Sequence, residues 1–147
     1  MTTELIDNGD IPAAAAPRRF PHAAVWLDHF HAIIVLASAD QQRTLHVDTA
    51  REDPRWHRKS GQPGPGRLPE DDELYRKVAD ALEANGSPFL ILGPGTAKHD
   101  FRRWLVRHRH QLAAKITALE TLDHPTDGEL VGYVRREFRR LDQLGIE

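Results

Sequence analysis

The chain has 147 residues, 39% of them apolar, which suffices for one domain with a single hydrophobic core. Its 20 basic and 22 acidic residues nearly balance, so the overall charge does not mark a nucleic-acid-binding protein. The absence of cysteine excludes disulfides, thiolate metal sites and a cysteine nucleophile. Because no apolar run is long enough for a membrane helix and the acidic N-terminus does not resemble a signal peptide, we expect a cytoplasmic protein with no membrane partner.

The N-terminal part of the sequence predicts a tail followed by a three-stranded meander. Residues 1–19 mix polar residues, alanine and proline without periodicity, so we expect a disordered tail. Two β-rich runs follow at 24–28 and 32–37, and the polar residues between them are typical of a tight turn. A third strand is predicted at 42–49, where apolar and polar residues alternate.

The rest of the chain alternates helices with strands. A long aperiodic connection at 51–69 comes first, and its length indicates either a functional role or disorder. The sequence then predicts, in order, a helix at 69–86, a buried strand at 87–93, a helix over 93–110, a strand at 113–122 and a helix at 124–144.

The element order βββαβαβα predicts an α/β fold in one domain at 20–144. Its mixed five-stranded sheet combines an antiparallel three-strand meander with two parallel strands, joined by right-handed crossovers, and carries helices on its faces. A capping-box pattern from Thr126 to Glu129 should begin the last helix. The residues predicted to face inward from the helices are Leu74, Val78, Ala81, Leu82, Ala97, Phe101, Trp104, Leu105, Leu130, Val134, Phe138 and Leu141.

The segment LGPGTAKHDF, residues 92–101, leaves a strand through Gly-Pro-Gly and enters a helix with Lys and Phe at fixed offsets. It resembles the central domain of archaeal and eukaryotic class 1 peptide-chain release factors and of Pelota, and the bacterial stand-alone relatives of that domain. The resemblance covers 23–138 and includes a long glycine-rich basic loop between the third strand and the first helix. It implies the RNase H-like fold, also called the translational machinery component fold.

In release factors that loop ends in a Gly-Gly-Gln tip that promotes hydrolysis of peptidyl-tRNA. Here Gly61 and Gln62 match its last two residues and are the candidate catalytic residues that the resemblance implies. Ser60 replaces the first glycine and restricts the backbone, and Pro63 biases Gln62 toward extended angles. Both departures favour a binding protein over a ribosome-rescue hydrolase, which is the alternative. Since the chain has no room for codon-reading and GTPase-recruiting domains, we do not expect it to read stop codons alone.

Basic residues on the loop and on two helices are the main functional signal. Combined with the resemblance, they predict contact with the ribosome or structured RNA, and not with DNA. The alternative is a solvated charged surface. The candidate RNA-binding residues are Arg51, Arg55, Trp56, His57, Arg58, Lys59, Arg67, Arg102 and Arg103. Further arginines with the same solvent-facing pattern are Arg107, Arg109, Arg135, Arg136, Arg139 and Arg140.

Two loops at the carboxyl ends of the parallel strands predict a third kind of site, for a small ligand or a protein partner. The first resembles a shortened phosphate loop, although it lacks the full Gly-x-x-x-x-Gly-Lys-Ser/Thr pattern and Pro94 removes a donor. The candidate ligand-binding residues are Gly93, Gly95, Thr96, Lys98, His124, Thr126 and Asp127.

Histidine pairs separated by one residue, at 29–31 and 108–110, could each supply two metal ligands. The sequence names no third ligand, so we predict neither a metal nor a cofactor. Asp28 and Asp48 are the only plausible sheet carboxylates for a two-metal nuclease, and Asp28 is better suited to bonding the backbone of its own turn. The oligomeric state stays open.

Overall fold

A computed structural model describes residues 20–49 and 72–145 of the chain. The predicted tail at 1–19 and loop at 51–69 lie outside these residues. The strands are β1 (His22–Leu27), β2 (His31–Ala37), β3 (Gln42–Asp48), β4 (Phe89–Gly93) and β5 (Ile116–Thr121). The helices are α1 (Asp72–Asn85), α2 (Ala97–His108), α3 (His110–Ala113) and α4 (Asp127–Gln143).

The strands form one mixed sheet in the order β3-β2-β1-β4-β5. Neighbours pair antiparallel in the meander, whereas β4 pairs parallel with both β1 and β5. The predicted α/β class, sheet composition and RNase H-like element order are therefore confirmed. One difference is that the helix predicted over 93–110 is two helices, because Arg109 leaves the helical region with φ −145° and ψ 61° and separates α2 from the short α3.

The directions of strand pairing place the carboxyl ends of four of the five strands at the same side of the sheet. Because β1, β3, β4 and β5 all run the same way, their last residues Leu27, Asp48, Gly93 and Thr121 lie along a common edge, called here the carboxyl edge. The turn after β1 and the loops after β4 and β5 leave from it. The chain also leaves the described part at this edge, after Thr49.

Alternating strand residues supply two hydrophobic cores, one on each face of the sheet. Val25, Ile34 and Ile91 pack with α1, α2 and α3 on one face. Trp26 and Leu92 pack with α4 on the other face. Burying one such large apolar side chain contributes about 1.5–3 kcal/mol. All predicted inward-facing helix residues are buried except Ala81, which is partly buried.

Local signals end and begin the helices as predicted. Gly86 follows α1 with φ 82°, in the left-handed region that glycine adopts without strain. At the start of α4 the Glu129 N–H donates to Thr126 Oγ1 at 3.1 Å, and the Thr126 N–H donates to Glu129 Oε1 at 2.9 Å. This reciprocal capping box fixes where α4 begins. None of the described helices is both long enough and apolar enough to cross a membrane.

The carboxyl edge is closely packed where β4 ends. A Cβ added at Gly93 would lie 2.4 Å from the backbone oxygen of Leu27. Real Cβ atoms do not approach a backbone atom so closely, and neither backbone can move without disturbing the β1–β4 pairing. Gly93 is therefore required by the close approach of two strands, whereas an added Cβ at Gly95 meets nothing within 4 Å.

Gly93→Ala is expected to lower the free energy of unfolding by about 1–3 kcal/mol, the usual cost of overpacking. Gly95→Ala is the matched control and should leave stability unchanged or slightly raised, because alanine restricts the unfolded chain. Urea denaturation of both variants measures the difference. Equal losses in the two would show that the contact with Leu27 does not explain the glycine.

Candidate functional site at the carboxyl edge

The turn between β1 and β2 is built around Asp28. Its Oδ1 accepts the N–H groups of Phe30 and His31, each at 2.8 Å, and its own N–H donates to the His31 carbonyl at 3.0 Å. The Thr49 N–H donates to the Phe30 carbonyl at 2.9 Å, which ties the end of β3 to the same turn. The predicted role of Asp28 in its turn is confirmed.

Histidines at this edge are paired with carboxylates from other parts of the chain. Each pair links two elements or loops. The nitrogen–oxygen distances are 3.4 Å for His29–Asp100, 3.3 Å for His31–Asp48, 2.8 Å for His46–Asp127 and 3.4 Å for His124–Asp28. Hydrogen bonds from the His124 ring and backbone also hold the pKa of Asp123 below its usual value.

The partners of these histidines show whether they could bind a metal ion together. His29 and His31 have different carboxylate partners, and His108 contacts the Trp104 ring at a centroid distance of 4.9 Å. Within residues 20–49 and 72–145, no group of three or more histidine and carboxylate side chains is arranged to hold a metal ion. The arrangement orients the imidazole rings and stabilises the loops.

Lys98 points into the protein. Its side chain is buried, and its ammonium donates to the Gly93 carbonyl at 3.1 Å and to the Gly95 carbonyl at 2.7 Å. The lysine thus satisfies two carbonyls of the loop that carries the phosphate-loop-like sequence. Two of its three protons are used within the chain.

The other candidate ligand residues lie in two separate environments. Thr96 precedes α2, and its carbonyl accepts the N–H groups of His99 and Asp100. Thr126 caps α4, while Asp127 bonds His46. The structure thus places these residues along one edge, but most of their polar groups bond one another or the backbone.

A groove of about 290 Å³ opens on the α4 side of the edge. It takes in His124 but none of the other candidate ligand residues. Its lining residues are Trp26, His31, Ile33, His46, Asp48, His124 and Pro125. Sequence reasoning missed the contribution of β3, although strand alternation places its residues 46 and 48 on one face.

The predicted RNA-binding residues divide into described and undescribed groups. Arg102 and Arg103 are exposed on α2, and Arg103 forms an ion pair with the buried carboxylate of Asp100. The loop candidates Arg51, Arg55, Trp56, His57, Arg58, Lys59 and Arg67 lie outside the described residues, as do Gly61 and Gln62.

Some of the other arginines hold the fold together. Arg109 bonds Asp80 and Glu83 of α1 at 3.0 Å each. Arg135 donates to the Ser38 carbonyl at 2.6 Å and to the Gln41 carbonyl at 3.0 Å, which ties α4 to the β2–β3 turn. These guanidinium groups connect elements that are distant in sequence.

A group of ionisable side chains joins β5 to α4. The Tyr133 hydroxyl donates to Glu120, and Arg140 donates to Glu137 at 2.5 Å. Burial raises the pKa of Glu120, and a hydrogen bond with Glu137 raises it further. The hydrogen bond from Arg140 lowers the pKa of Glu137. The charged form of Glu120 therefore lowers the stability of the fold, whereas the charged form of Glu137 raises it.

Comparison with solved structures finds the same fold in translation factors. Pelota from Archaeoglobus fulgidus matches 82% of this chain with a TM-score of 0.54 at 15% identity. Pelota from Thermoplasma acidophilum matches 84% with a TM-score of 0.55 at 17% identity. The archaeal translation termination factor aRF1 matches 84% with a TM-score of 0.51 at 14% identity.

The matched region is only part of each larger protein. It covers 32% of the first Pelota chain, 34% of the second and 39% of aRF1. No protein-family model and no curated protein matches the sequence. The comparisons therefore establish a release-factor- and Pelota-like fold for this chain, in agreement with the resemblance in its sequence.

Lys98→Met is expected to lower the free energy of unfolding by about 1–3 kcal/mol, because it leaves the Gly95 carbonyl without its donor and removes one of the two donors of the Gly93 carbonyl, which keeps the Leu122 N–H at 3.0 Å. Lys115→Met is the control: its ammonium also donates to a glycine carbonyl, that of Gly86 at 2.8 Å, but it is exposed and water can replace it. That variant should lose under about 1 kcal/mol. Denaturation curves measure both. Similar losses would contradict the buried role of Lys98.

Glu120→Gln is expected to raise stability at neutral pH. The folded-state pKa of Glu120 lies above its ordinary value of 4.5. At a pH below the unfolded-state pKa the group is protonated in both states and its charge has no effect on stability. At a pH above the folded-state pKa the carboxylate is charged in both states, and its charge lowers the stability of the fold. The gain should grow as the pH rises through that window.

Glu137→Gln should have the opposite sign. Its folded-state pKa is lowered, so the carboxylate stabilises the fold above the unfolded pKa, and this contribution disappears as the pH falls through the folded pKa. Denaturation at a series of pH values compares the two variants. Effects of the same sign would refute the assignment.

Proposed function

We propose that this protein is a non-catalytic binding protein of translation that associates with the ribosome or with structured RNA in the cytoplasm. The observation that carries the proposal is the fold likeness to Pelota and aRF1 over 82–84% of the chain. aRF1 is an archaeal translation termination factor.

The basic segment 51–67 supports RNA as the partner. It lies between β3 and α1, the position that the glycine-rich loop has in the release-factor resemblance. The chain leaves the carboxyl edge after Thr49 and enters α1 at Asp72, so the segment is attached at the edge where open α/β sheets place ligands. Its arginines and Lys59 would neutralise phosphates, and Trp56 would stack on bases.

Two substitutions in the tip motif favour binding over catalysis. Ser60 has a Cβ where the release-factor tip has a glycine, and the residue after Gln62 is a proline. A tip that stabilises developing charge with a backbone N–H needs the conformational freedom of consecutive glycines. Hydrolysis through Gly61 and Gln62 stays a prediction of the resemblance.

Co-sedimentation with ribosomes over a salt series tests the proposal. Wild-type protein should pellet with ribosomes at low salt and dissociate as salt rises. Replacing Arg55, Arg58 and Lys59 together by alanine should weaken binding about tenfold or more and reduce the salt slope by about 2–3, since each lost phosphate contact removes about one released counterion.

The charge-retaining variant R55K/R58K/K59R is the control and should bind like the wild type. Absence of binding at low salt, or binding that is unchanged by the alanine substitutions, would refute the proposal. Peptide release from stalled ribosomes should stay at background in the same preparations. Release by the wild type that Gln62→Ala abolishes would identify a hydrolase instead.

A further inference from the structure

The three long helices expose different charges to solvent. On α1 the exposed charged residues are Asp72, Glu73, Arg76, Asp80 and Glu83, so acids dominate. On α4 they are Asp127, Glu129, Arg136, Arg139, Arg140 and Asp142, so the two signs balance. The exposed residues of α2, which is described throughout, are His99, Arg102, Arg103, Val106, Arg107 and His108, and no carboxylate is among them.

Helices α2 and α4 are similarly rich in arginine, but the structure places their arginines in different surroundings. On α4, Arg135 binds the β2–β3 turn, and Arg140 pairs with Glu137. On α2, the single carboxylate Asp100 is buried and forms an ion pair with Arg103, so no acidic side chain of this helix is exposed to solvent. Among the three long helices, α2 is the one on which the exposed charged side chains are all arginines.

We propose that the exposed side of α2 binds the phosphate backbone of double-helical RNA. This surface, called the α2 face, consists of His99, Arg102, Arg103, Val106 and Arg107. The inference rests on the proposed function and deepens it by naming the contact surface and the class of RNA. Spacings of three and four residues place these side chains on one side of the helix over about 12 Å.

The residue types on the α2 face fit phosphates. A guanidinium group binds a phosphate through two parallel hydrogen bonds, which an ammonium cannot do. Ion pairing with Asp100 orients Arg103 at the start of the face. Arginine contacts with phosphates position a protein on RNA without reading the sequence.

The face suits a duplex better than a single strand. Proteins that hold single strands stack the bases on exposed aromatic rings, but the large aromatic rings of α2, Phe101 and Trp104, are both buried, and only the smaller imidazoles of His99 and His108 are exposed. An A-form duplex presents a wide, shallow minor groove lined with sugars. Val106, 50% exposed at the centre of the face, would contact those sugars while the arginines reach phosphates on either side.

The experiment compares two neutralised arginine pairs on different helices. Arg102→Gln with Arg107→Gln removes two charges from the α2 face, and Arg136→Gln with Arg139→Gln removes two from α4. Fluorescence anisotropy with two short RNA duplexes of unrelated sequence measures affinity over a salt series. The α2 variant should bind both duplexes about tenfold more weakly, with a salt slope reduced by about 2, while the α4 variant binds within about twofold of the wild type. Thermal melting checks that both variants are folded at the temperature of the binding assay.

Each other outcome overturns a defined part of the inference. Equal losses in the two variants would show that net charge, and not the α2 face, governs binding. A wild type that strongly prefers one duplex would reveal base readout. A wild type that binds ribosomes but not the duplexes would refute the α2 inference and leave the proposed function standing. Failure to bind either at low salt would refute the proposed function itself.

Discussion

The rest of the structure depends on the parallel pairing of β1 with β4. Four residue pairs, from Ala23–Phe89 to Trp26–Leu92, join the N-terminal meander to the helix-and-strand units that follow. The pairing brings the backbone at Leu27 and Gly93 so close that a Cβ does not fit between them. This contact lies close to the start of α2, which begins four residues after Gly93.

The first turn of α2 is held to the edge by buried polar groups. Lys98 bonds the carbonyls of the preceding loop, and Asp100 contacts both His29 of the β1–β2 turn and Arg103 of its own helix. Leaving such groups unpaired inside the protein costs more than their bonds contribute, so they specify one orientation of the helix. The exposed arginines of α2 are therefore presented by a rigid support.

Sequence patterns predicted the elements because burial imposes a local period. The continuous apolar run of β4 and the helical spacing of Val134, Phe138 and Leu141 both follow from burial against the sheet. The interaction partners of individual charged residues follow no such period. Lys98 looks like a phosphate ligand in the sequence, and only the folded loop shows that backbone carbonyls bind its ammonium.

The same limit applies to neighbouring arginines on α4. Arg135 and Arg136 are adjacent in the sequence, but about 100° separates consecutive side chains around a helix. Arg135 therefore reaches the carbonyl of Ser38, 97 residues away, while Arg136 is exposed. Partners so distant in the chain leave no signal in local spacing, so the sequence could not separate structural from surface arginines.

The charges of the carboxyl edge bear on how RNA would approach. Its described polar side chains are mainly carboxylates and their histidine partners, such as Asp48 with His31 and Asp127 with His46. Unpaired carboxylate charge at such an edge would oppose a nearby phosphate. The RNA contact that we propose near β3 would therefore depend on the arginines of 51–67. The α2 face is distinct from this edge in its charge, so the proposed RNA contacts come from two basic segments attached to a core that is elsewhere neutral or acidic.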